Sequence, residues 1–488
     1  MEPFKKAIIG FLHISLLATC LLNGLIYFIM FNNVQKINEP LSISSISTAA
    51  RTRSIHEEFP LPVHYFAKEL ELSHHLWNQA VEGTTDADMP HTMMVQLIDL
   101  YLEPWISHYH SNSKTTTASP VTTYTSADFD LLELELRSNA IRVQIFDGKV
   151  VYRDVCNHGK GGAWYTEQRV NGVLEILKKL APHLNTTKKI ELFVSYRDHP
   201  KFTDNSMTLL HNFPYFATHS SPRAFVDILF PDPLDNSATY DASSINTKIM
   251  PYSERIDKVF FRGKFTSFVA HGKDVLPSGR VKIHKISDQY PHLFDSGLVG
   301  AAVYKMEALG GFEGLMHYLQ SSPRTETSPA DANNFKFQLD LDGGLGSCRT
   351  VGILKSGSVL LKVMSPFQQF SDPFLVPFKH YIPVDQHMHY IKPITEWCLK
   401  NPILMESIAT EAADFASQFH SPEGRSLYWK ILLEKYALLM DAPTTTTSGD
   451  VDNRSPFQPV PDHLCDFYEE HRDSCPAMLG CYLGWKEV

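Results

Sequence analysis

The stretch FQLDLDGGLGSCRTVGILKSGSVLLKV, residues 337–363, places a glycine-rich turn between two apolar runs. The first run, FQLDL, is typical of a buried strand, and the turn DGGLGS (342–347) follows it directly. Glycines at the end of a strand let backbone N–H groups approach a phosphate, and the N-terminus of a following helix favours negative charge. Such turns are also common without a ligand, and this one is neither a Walker loop nor a strict G-x-G-x-x-G. Phosphate binding and an ordinary strand-to-helix turn are therefore both open interpretations.

Short apolar strands alternate with helices on both sides of this stretch. Helical patterns cover residues 62–81, 91–108 and 168–180, and a helical part covers 391–440. Strand-like runs are IRVQIFDGKVVY (141–152), IELFVSY (190–196), AFVDILF (224–230), VFFRG (259–263) and HYIPV (380–384). Alternation of this kind predicts an α/β protein with parallel sheets.

Length and charge exclude several classes of protein. With 488 residues, 43% of them hydrophobic, the chain is long enough for two or three domains, so a mini-scaffold and a wholly disordered chain are excluded. The 44 Lys and Arg against 54 Asp and Glu give a net charge of −10, and no basic tract is visible. Nucleic acid is therefore not expected as the main partner, because phosphate backbones need clustered cations.

The N-terminal stretch AIIGFLHISLLATCLLNGLIYFIMF, residues 7–31, contains no Asp, Glu, Lys or Arg. It is long enough to cross about 30 Å of hydrocarbon as a helix. A cleaved signal peptide is the alternative, but its apolar region is usually only about 7–15 residues long. Lys5 and Lys6 precede the stretch, whereas only Lys36 follows it closely, which favours a cytosolic N-terminus and a lumenal remainder. We therefore expect a single-pass type II membrane protein of the Golgi or endoplasmic reticulum.

Cysteines and sequons are compatible with a lumenal location. Cys20 lies in the apolar stretch, and an even number remains, which fits disulfides in an oxidising lumen with the pairing left open: Cys156, Cys348, Cys398, Cys465, Cys475 and Cys481. A zinc site is the alternative for the last three, although no C-x-x-C or paired histidines accompany them. Asn185 and Asn453 begin glycosylation sequons, which are usable only in the lumen.

A set of ordered motifs indicates a family. YRDHP (196–200), FPDP (230–233), FFRG (260–263), LDG (341–343) with Ser347 and Arg349, KSGS (355–358) and HYIPV (380–384) follow one another along the chain. Together they resemble the capsule-associated protein and Rumi-type protein O-glucosyltransferase family, glycosyltransferase family 90. The resemblance covers roughly residues 143–440. It implies a GT-B fold of two Rossmann-like domains facing a cleft, and inverting transfer of glucose or xylose from UDP-glucose or UDP-xylose, without an obligatory metal or other cofactor.

The resemblance assigns the catalytic role to Asp198 in YRDHP. An inverting transfer needs a general base that takes the proton from the acceptor hydroxyl, on a protein or a glycan, as it attacks the sugar. Without the resemblance, Asp198 would be interpreted as a helix N-cap or a surface residue.

The same resemblance assigns the UDP-sugar site. Arg262 and Arg349 would stabilise the leaving diphosphate, where negative charge grows in the transition state. The other predicted contacts are Gly263, Asp342, Gly343, Gly344, Gly346 and Ser347. Asp342 is expected to order the turn by accepting backbone N–H bonds. Lys264 stands where Rumi-type enzymes have Ser, and Gln369 stands where they have an acidic residue, so one nucleotide contact and one ribose or sugar contact are in question.

Hydropathy and composition, together with the resemblance for the two α/β domains, give the domain plan. We expect a cytosolic tail and membrane anchor (1–31), a stem (32–58), a helical N-terminal extension with a loop (59–126), and an acceptor-side α/β domain (127–250). A nucleotide-sugar-binding α/β domain with C-terminal helices (251–442) and a Cys-rich tail (443–488) complete it.

Several competing interpretations remain. Asp340-Leu341-Asp342 is a D-x-D, which in GT-A enzymes holds a metal, but the glycine-rich turn and Arg349 fit the LDG motif better. His380, His387 and His389 form no complete ligand set, so structural roles are expected. A glycoside hydrolase using Asp340 and Asp342 as paired carboxylates is a third possible class of function. The main alternative to the transferase is a catalytically silent lumenal member of the same fold that binds a glycan or a protein.

Overall fold

The computed structural model describes residues 59–62, 67–81, 88–112, 124–126, 129, 140–154, 164–195, 215–218, 228–233, 250–265, 278–301, 310–343, 347, 349–365, 367–440 and 458–459. The chain divides into two units, residues 1–59 and 60–488, and every element named below belongs to the second. No helix in the described ranges is long and apolar enough to span a membrane. The predicted anchor (7–31) and stem (32–58) lie outside those ranges, as do Asp198, Gly344, Gly346, Asn453 and every predicted lumenal cysteine except Cys398.

The first sheet begins with a hairpin. Strands β1 (Ala140–Phe146) and β2 (Lys149–Asp154) pair antiparallel, and only Asp147 and Gly148 connect them. Both connecting residues have positive φ, +49° and +69°, the conformation that an Asp-Gly turn adopts readily. The run IRVQIFDGKVVY therefore forms two strands, and its prediction as one strand was wrong because the turn signal within it was not used.

The rest of the first sheet is mixed. Strand β3 (Ile190–Ser195) pairs antiparallel with β1, whereas β4 (Tyr215–Ala217) and β5 (Ile228–Leu229) continue the sheet in parallel. A short edge strand, β11 (Gln458–Pro459), pairs antiparallel with β2. The spatial order is β11-β2-β1-β3-β4-β5. The expected parallel arrangement thus holds for β3 to β5 only.

The second sheet is parallel throughout. It consists of β6 (Ile256–Phe265), β7 (Phe294–Ala301), β8 (Phe335–Asp340), β9 (Val359–Val363) and β10 (Ile382–Val384), in the order β10-β9-β8-β6-β7. In chain order this is a 2-1-3-4-5 arrangement, so the strand order reverses between β6 and β8. This sheet confirms the α/β class and fits a Rossmann-like domain.

Helices precede the first strand, lie between later strands and follow the second sheet. They are α1 (Ala67–Val81), α2 (Met89–Asn112), α3 (Trp164–Leu180), α4 (Gly279–Gln289), α5 (Gly311–Leu319), α6 (Pro329–Ala332), α7 (Thr350–Lys355), α8 (Ile391–Lys400), α9 (Pro402–Phe419) and α10 (Pro422–Tyr436). The Ser421 hydroxyl caps α10 by accepting the Gly424 N–H at 3.0 Å, with Pro422 in the first turn.

Helix α10 follows the second sheet in the chain but packs on the first. The ring of Trp429 stacks on Phe216 of β4, with centroids 6.2 Å apart. The Tyr428 hydroxyl donates to the Leu229 carbonyl at 2.7 Å, and the Tyr436 hydroxyl donates to the Glu191 carbonyl at 3.0 Å. One hydrophobic core contains side chains of the first sheet, α7, β9, α9 and α10, so the C-terminal helices tie the two sheets together.

Cys398 corrects the disulfide prediction. It lies in α8, buried and free, and burial raises the pKa of its thiol. A neutral thiol in an apolar environment behaves as a small hydrophobic residue. The six cysteines that were predicted to be lumenal therefore do not all pair with one another, because Cys398 takes no part in a disulfide.

Asn185 is exposed in the connection between α3 and β3. Its backbone N–H donates to the Glu434 carboxylate at 2.9 Å, which leaves the side-chain amide at the surface. This position is compatible with the predicted glycosylation.

Candidate functional site

The carboxyl ends of β6 and β8 carry most of the predicted site. Arg262, Gly263 and Lys264 lie near the end of β6, and Asp342 and Gly343 follow β8 after one intervening residue, Leu341. These two strands flank the point where the strand order reverses. In open α/β sheets, ligands bind outside the carboxyl ends of the strands at such a point.

Arg349 reaches back from the start of α7 to this edge. Its Nη2 donates to the carbonyl of Arg262 at 3.0 Å, and its guanidinium lies 5.0 Å from the centroid of the Phe261 ring. Its Nη1 is buried and has no acceptor among the described residues. A guanidinium that is positioned by one nitrogen and has an unpaired N–H donor on another can bind an anion.

Gly263 makes this approach possible. A Cβ atom at this position would lie 2.9 Å from Cζ of Phe261 and 3.2 Å from Nη2 of Arg349. Both distances are shorter than ordinary van der Waals contact, so any larger residue would displace the aromatic ring or the guanidinium. The glycine of FFRG therefore places Arg349.

Arg262 has a different environment. Its Nη2 bonds Asp295 Oδ1 at 2.6 Å, its Nε donates to the Thr325 carbonyl at 2.9 Å, and its guanidinium lies 4.8 Å from the centroid of the Phe260 ring. Successive strand residues point to opposite faces, so Arg262 and Phe261 lie on different sides of β6. The structure brings Arg349 to the backbone of Arg262 but does not bring the two guanidinium groups together.

A second arginine, which the sequence did not single out, occupies the face of Phe261. Arg280 in the first turn of α4 is 4% exposed, and its guanidinium lies 5.8 Å from the Phe261 centroid. It donates to the Lys264 carbonyl at 2.7 Å and to the Asp342 carbonyl at 3.0 Å. Arg280 thus joins the FFRG strand to the LDG turn. An arginine in a polar helical segment resembles a surface residue, so no local pattern distinguishes Arg280 as a site residue.

The N-terminus of α4 lies beside the LDG turn. A Cβ at Gly279 would be 2.8 Å from Cδ1 of Leu341. Ser278, the N-cap residue, makes no side-chain capping bond, and its buried hydroxyl has no partner within the described ranges. A helix N-terminus and an unused hydroxyl add neutral donors next to Arg280.

Asp342 is held by a hydroxyl in this structure. Its Oδ2 accepts from Ser365 Oγ at 2.5 Å. Burial raises the pKa of Asp342 to about 6, although the bond from Ser365 lowers it. We expected Asp342 to accept backbone N–H bonds, and the partner seen among the described residues is Ser365 instead.

Asp340 and Asp372 flank Lys362 below the turn. Lys362 Nζ lies 3.5 Å from Asp340 Oδ2 and 3.3 Å from Asp372 Oδ1, while the Thr350 hydroxyl donates to Asp340 at 2.7 Å. Burial lowers the pKa of Lys362, but the three carboxylates, with Asp342 included, outweigh burial and raise it. Both carboxylates of the D-x-D thus contact protein groups. In the ranges given above, no three side chains of metal-binding type form a metal site.

Ser347 and Gln369 meet at the same edge. The Gln369 side-chain amide donates to the Ser347 carbonyl at 2.5 Å, and the Ser347 hydroxyl accepts the Arg349 N–H at 3.3 Å. The backbone N–H of Gln369 donates to Asp372 Oδ2 at 3.0 Å. The residue that departs from the family pattern therefore contacts the glycine-rich turn.

The KSGS motif lies elsewhere. It precedes β9 and so occupies the amino edge of the sheet, where Arg255 donates to the Ser358 hydroxyl and the Ser356 carbonyl, both at 3.1 Å. Gln338 donates to the hydroxyls of the same two serines. This motif stabilises the domain and is not part of the site at the carboxyl edge.

The histidines have structural contacts. His380 is buried against the rings of Trp77 and Phe415, and its Nδ1 accepts the Val376 N–H at 3.0 Å. Burial lowers the pKa of His380 to about 3, so the ring is neutral. The rings of His387 and His389 lie 5.6 Å apart, and Asp385 accepts the backbone N–H of His389.

Asp232 of the FPDP motif forms a buried ion pair. Arg169 donates to it from Nη2 at 2.6 Å and from Nε at 3.1 Å, and both side chains are more than nine-tenths buried. This ion pair gives Asp232 a structural contact with α3.

Comparison with known proteins agrees with the motif set. The model of glycosyl transferase family 90 matches residues 123–455, well over half of the chain. Protein O-glucosyltransferase 3 of Homo sapiens is 25% identical over 202 residues, 41% of this chain and 36% of that protein. The O-glucosyltransferase rumi of Drosophila pseudoobscura pseudoobscura is 24% identical over 217 residues, 44% of this chain and 48% of that protein. The chain thus matches less than half the length of these relatives.

Proposed function

Because the chain belongs to glycosyl transferase family 90, we propose that it is an inverting glycosyltransferase that moves a sugar from a UDP-sugar to a hydroxyl of a protein or a glycan. The two relatives named above are called O-glucosyltransferases, which supports glucose as the donor sugar, with xylose as the second choice. The two sheets would form the two halves of a GT-B fold, with the nucleotide at the carboxyl edge of the second sheet.

The observation that carries this proposal is the unused nitrogen of Arg349. Its Nη1 is buried beside Phe261 without an acceptor in the described part of the chain, and a buried donor without a partner costs about 1–3 kcal/mol. A diphosphate oxygen would remove this cost. Arg280 and the Ser278 hydroxyl at the start of α4 stand next to the same turn and would add further donors.

The proposed reaction needs one base and one stabilised leaving group. The acceptor hydroxyl attacks the anomeric carbon from the face opposite UDP, the bond from that carbon to the diphosphate oxygen breaks, and Asp198 takes the hydroxyl proton. The diphosphate leaves with the bonding electron pair, and Arg349 stabilises its new charge. The reaction requires no further co-reactant, and the mechanism uses no metal.

A lumenal location belongs to the same proposal. Residues 7–31 would anchor the chain in the membrane of the Golgi or endoplasmic reticulum, with the sheets on the lumenal side. A glycan on exposed Asn185 would support this, since the sequon is used only in the lumen. Digestion of the C-terminal part by protease added to sealed microsomes would contradict it.

The decisive experiment is a screen of the full-length protein for UDP release from UDP-sugars, followed by Asp198→Asn. If Asp198 is the base, the variant keeps donor binding while transfer falls by about 10²–10⁴-fold. Asp147→Asn makes the same chemical change in an exposed turn of the first sheet and should leave transfer unchanged.

Two other results would redirect the assignment. Transfer at the parent rate by a folded Asp198→Asn protein excludes Asp198 as the base. UDP binding without turnover on any donor favours a catalytically silent binding protein, and release of sugar from a glycan without UDP binding favours a hydrolase.

A further inference from the structure

Gln369 touches the glycine-rich turn through a hydrogen bond that requires a donor on the side chain. Its Nε2 donates to the carbonyl of Ser347, which is 6% exposed. Ser347 in turn accepts the backbone N–H of Arg349 on its hydroxyl. The amide of Gln369 thus reaches, through a single residue, the arginine whose spare nitrogen faces the candidate site.

The position of Gln369 is itself fixed by charged groups. Its backbone N–H donates to the carboxylate of Asp372. In return, the backbone N–H of Asp372 donates to the carbonyl of Gln369 at 3.2 Å. Asp372 pairs with Lys362 at 3.3 Å, and Lys362 also reaches Asp340 at the end of β8. Through Asp372 and Lys362, Gln369 is therefore connected to the strands β8 and β9.

We propose that Gln369 is a positioning residue for the nucleotide site, which holds Ser347 and through it Arg349 in the geometry that receives the diphosphate. This inference rests on the proposed function. A carboxylate at this position has no proton to donate to the Ser347 carbonyl, and two oxygens at hydrogen-bond distance repel each other. An amide at position 369 thus makes a contact with the turn that an ionised carboxyl could not make.

The test compares Gln369→Glu, Gln369→Leu and the neighbouring control Gln368→Glu in the full-length protein, with UDP as the probe. At pH 7.5 both changes at position 369 should raise the Kd of UDP by about tenfold, the effect of one hydrogen bond of ordinary strength. The control should bind UDP as the parent does.

Acid distinguishes the positioning role from a loss of packing. As the pH falls to about 4, below the ordinary glutamate pKa of about 4.3, most of the Gln369→Glu carboxyl is protonated and can again donate to the Ser347 carbonyl. Its Kd, divided by that of the parent at the same pH, should return towards one, whereas the ratio for Gln369→Leu should stay high.

Hydrogen exchange measures the same contact without nucleotide. In the ligand-free protein at pH 7.5, a peptide covering residues 347–350 should exchange faster in Gln369→Glu than in Gln368→Glu. If the parent binds no UDP but this difference is found, the contact is supported and only the proposed function is overturned. Parent-like UDP binding by Gln369→Glu at pH 7.5, or unchanged exchange, would overturn the positioning role.

Discussion

The two edges of the second sheet carry turns of similar composition, but the arginine at each edge has a different set of hydrogen bonds. At the amino edge, the turn Ser356-Gly357-Ser358 surrounds Arg255, whose Nε, Nη1 and Nη2 donate to Met250, Ser358 and Ser356. At the carboxyl edge, the turn between Asp342 and Arg349 also combines glycine, serine and arginine, but Nη1 of that arginine has no acceptor in the described ranges.

This difference in hydrogen bonding distinguishes a turn that stabilises the fold from a turn that can bind a ligand. A buried donor without an acceptor costs about 1–3 kcal/mol, so a closed set of hydrogen bonds stabilises the fold, and an open one is tolerated where a ligand completes it. Sequence motifs rich in Gly, Ser and Arg therefore carry no function by composition alone. Their place relative to the strand ends decides it, because ligands bind at the carboxyl edge of such sheets.

Arg255→Ala should show the largest effect on the fold. Three acceptors lose a charged donor at a site where the arginine is 5% exposed, so we expect a loss of about 3 kcal/mol in the free energy of unfolding. Urea denaturation measures it. The Kd of UDP should stay within about twofold of the parent, since Arg255 lies at the other edge, and a large change in UDP binding would erase the distinction between the edges.

Arg349→Ala should show the reverse pattern. Loss of a charge-assisted bond to the diphosphate is expected to weaken UDP binding by about 10–100-fold, which corresponds to about 1.4–2.7 kcal/mol. The free energy of unfolding should change by about 1 kcal/mol at most, because the described side chain makes one hydrogen bond and one ring contact. Unchanged UDP affinity, measured by calorimetry, would remove Arg349 from the site.

The course of the second sheet was largely predictable from the sequence, and that of the first was less so. Buried parallel strands such as VFFRG and FQLDL are apolar runs that stand out from their surroundings. The hairpin of the first sheet was missed although Asp147-Gly148 is a strong turn signal. The packing of α10 on β4 has no local signal, because the contact between Trp429 and Phe216 joins residues more than two hundred positions apart.

The site was predictable as a set of residues but not as a geometry. FFRG and the LDG turn do meet, yet a strand alternates its faces, and so Arg262 turns to Asp295 while Arg349 lies on Phe261. Arg280 was missed because its acceptors among the described residues include the backbone carbonyls of Lys264 and Asp342, which no pattern of side chains reveals. Asp198 lies outside the described residues, and its role stays a prediction.

Gly357→Ala tests the closed turn more finely. Gly357 has φ of +72°, and a Cβ there would lie 3.0 Å from Nη2 of Arg255. We expect a loss of about 1–2 kcal/mol in the free energy of unfolding, the usual cost of a left-handed backbone for a residue with a Cβ. Gly300→Ala in β7 is the matched control, because its Cβ would meet only Lys264 at ordinary contact distance. Equal losses of unfolding free energy in Gly357→Ala and Gly300→Ala would show that the left-handed backbone at Gly357 has no particular effect on stability.

Asp342→Asn should have the smallest effect, visible as a dependence on pH. Burial raises the pKa of Asp342 from 3.8 to about 6, so between these values the folded chain holds a proton that the unfolded chain has lost. The stability of the parent should therefore fall as the pH rises through this window, and the cost is complete above pH 6. Asparagine cannot ionise but can still accept the Ser365 hydroxyl.

The difference in free energy of unfolding between Asp342→Asn and the parent should accordingly grow by about 0.8 kcal/mol from pH 5.5 to pH 7.5 in favour of the variant. Thermal or urea unfolding at four pH values in this interval resolves it. Asp147→Asn, which makes the same chemical change in an exposed turn, serves as the control. If the difference in free energy of unfolding between Asp342→Asn and the parent does not change with pH, ionisation of Asp342 does not destabilise the folded chain. The order of the turn would then be explained by its hydrogen bonds with Arg280 and Gln369 alone.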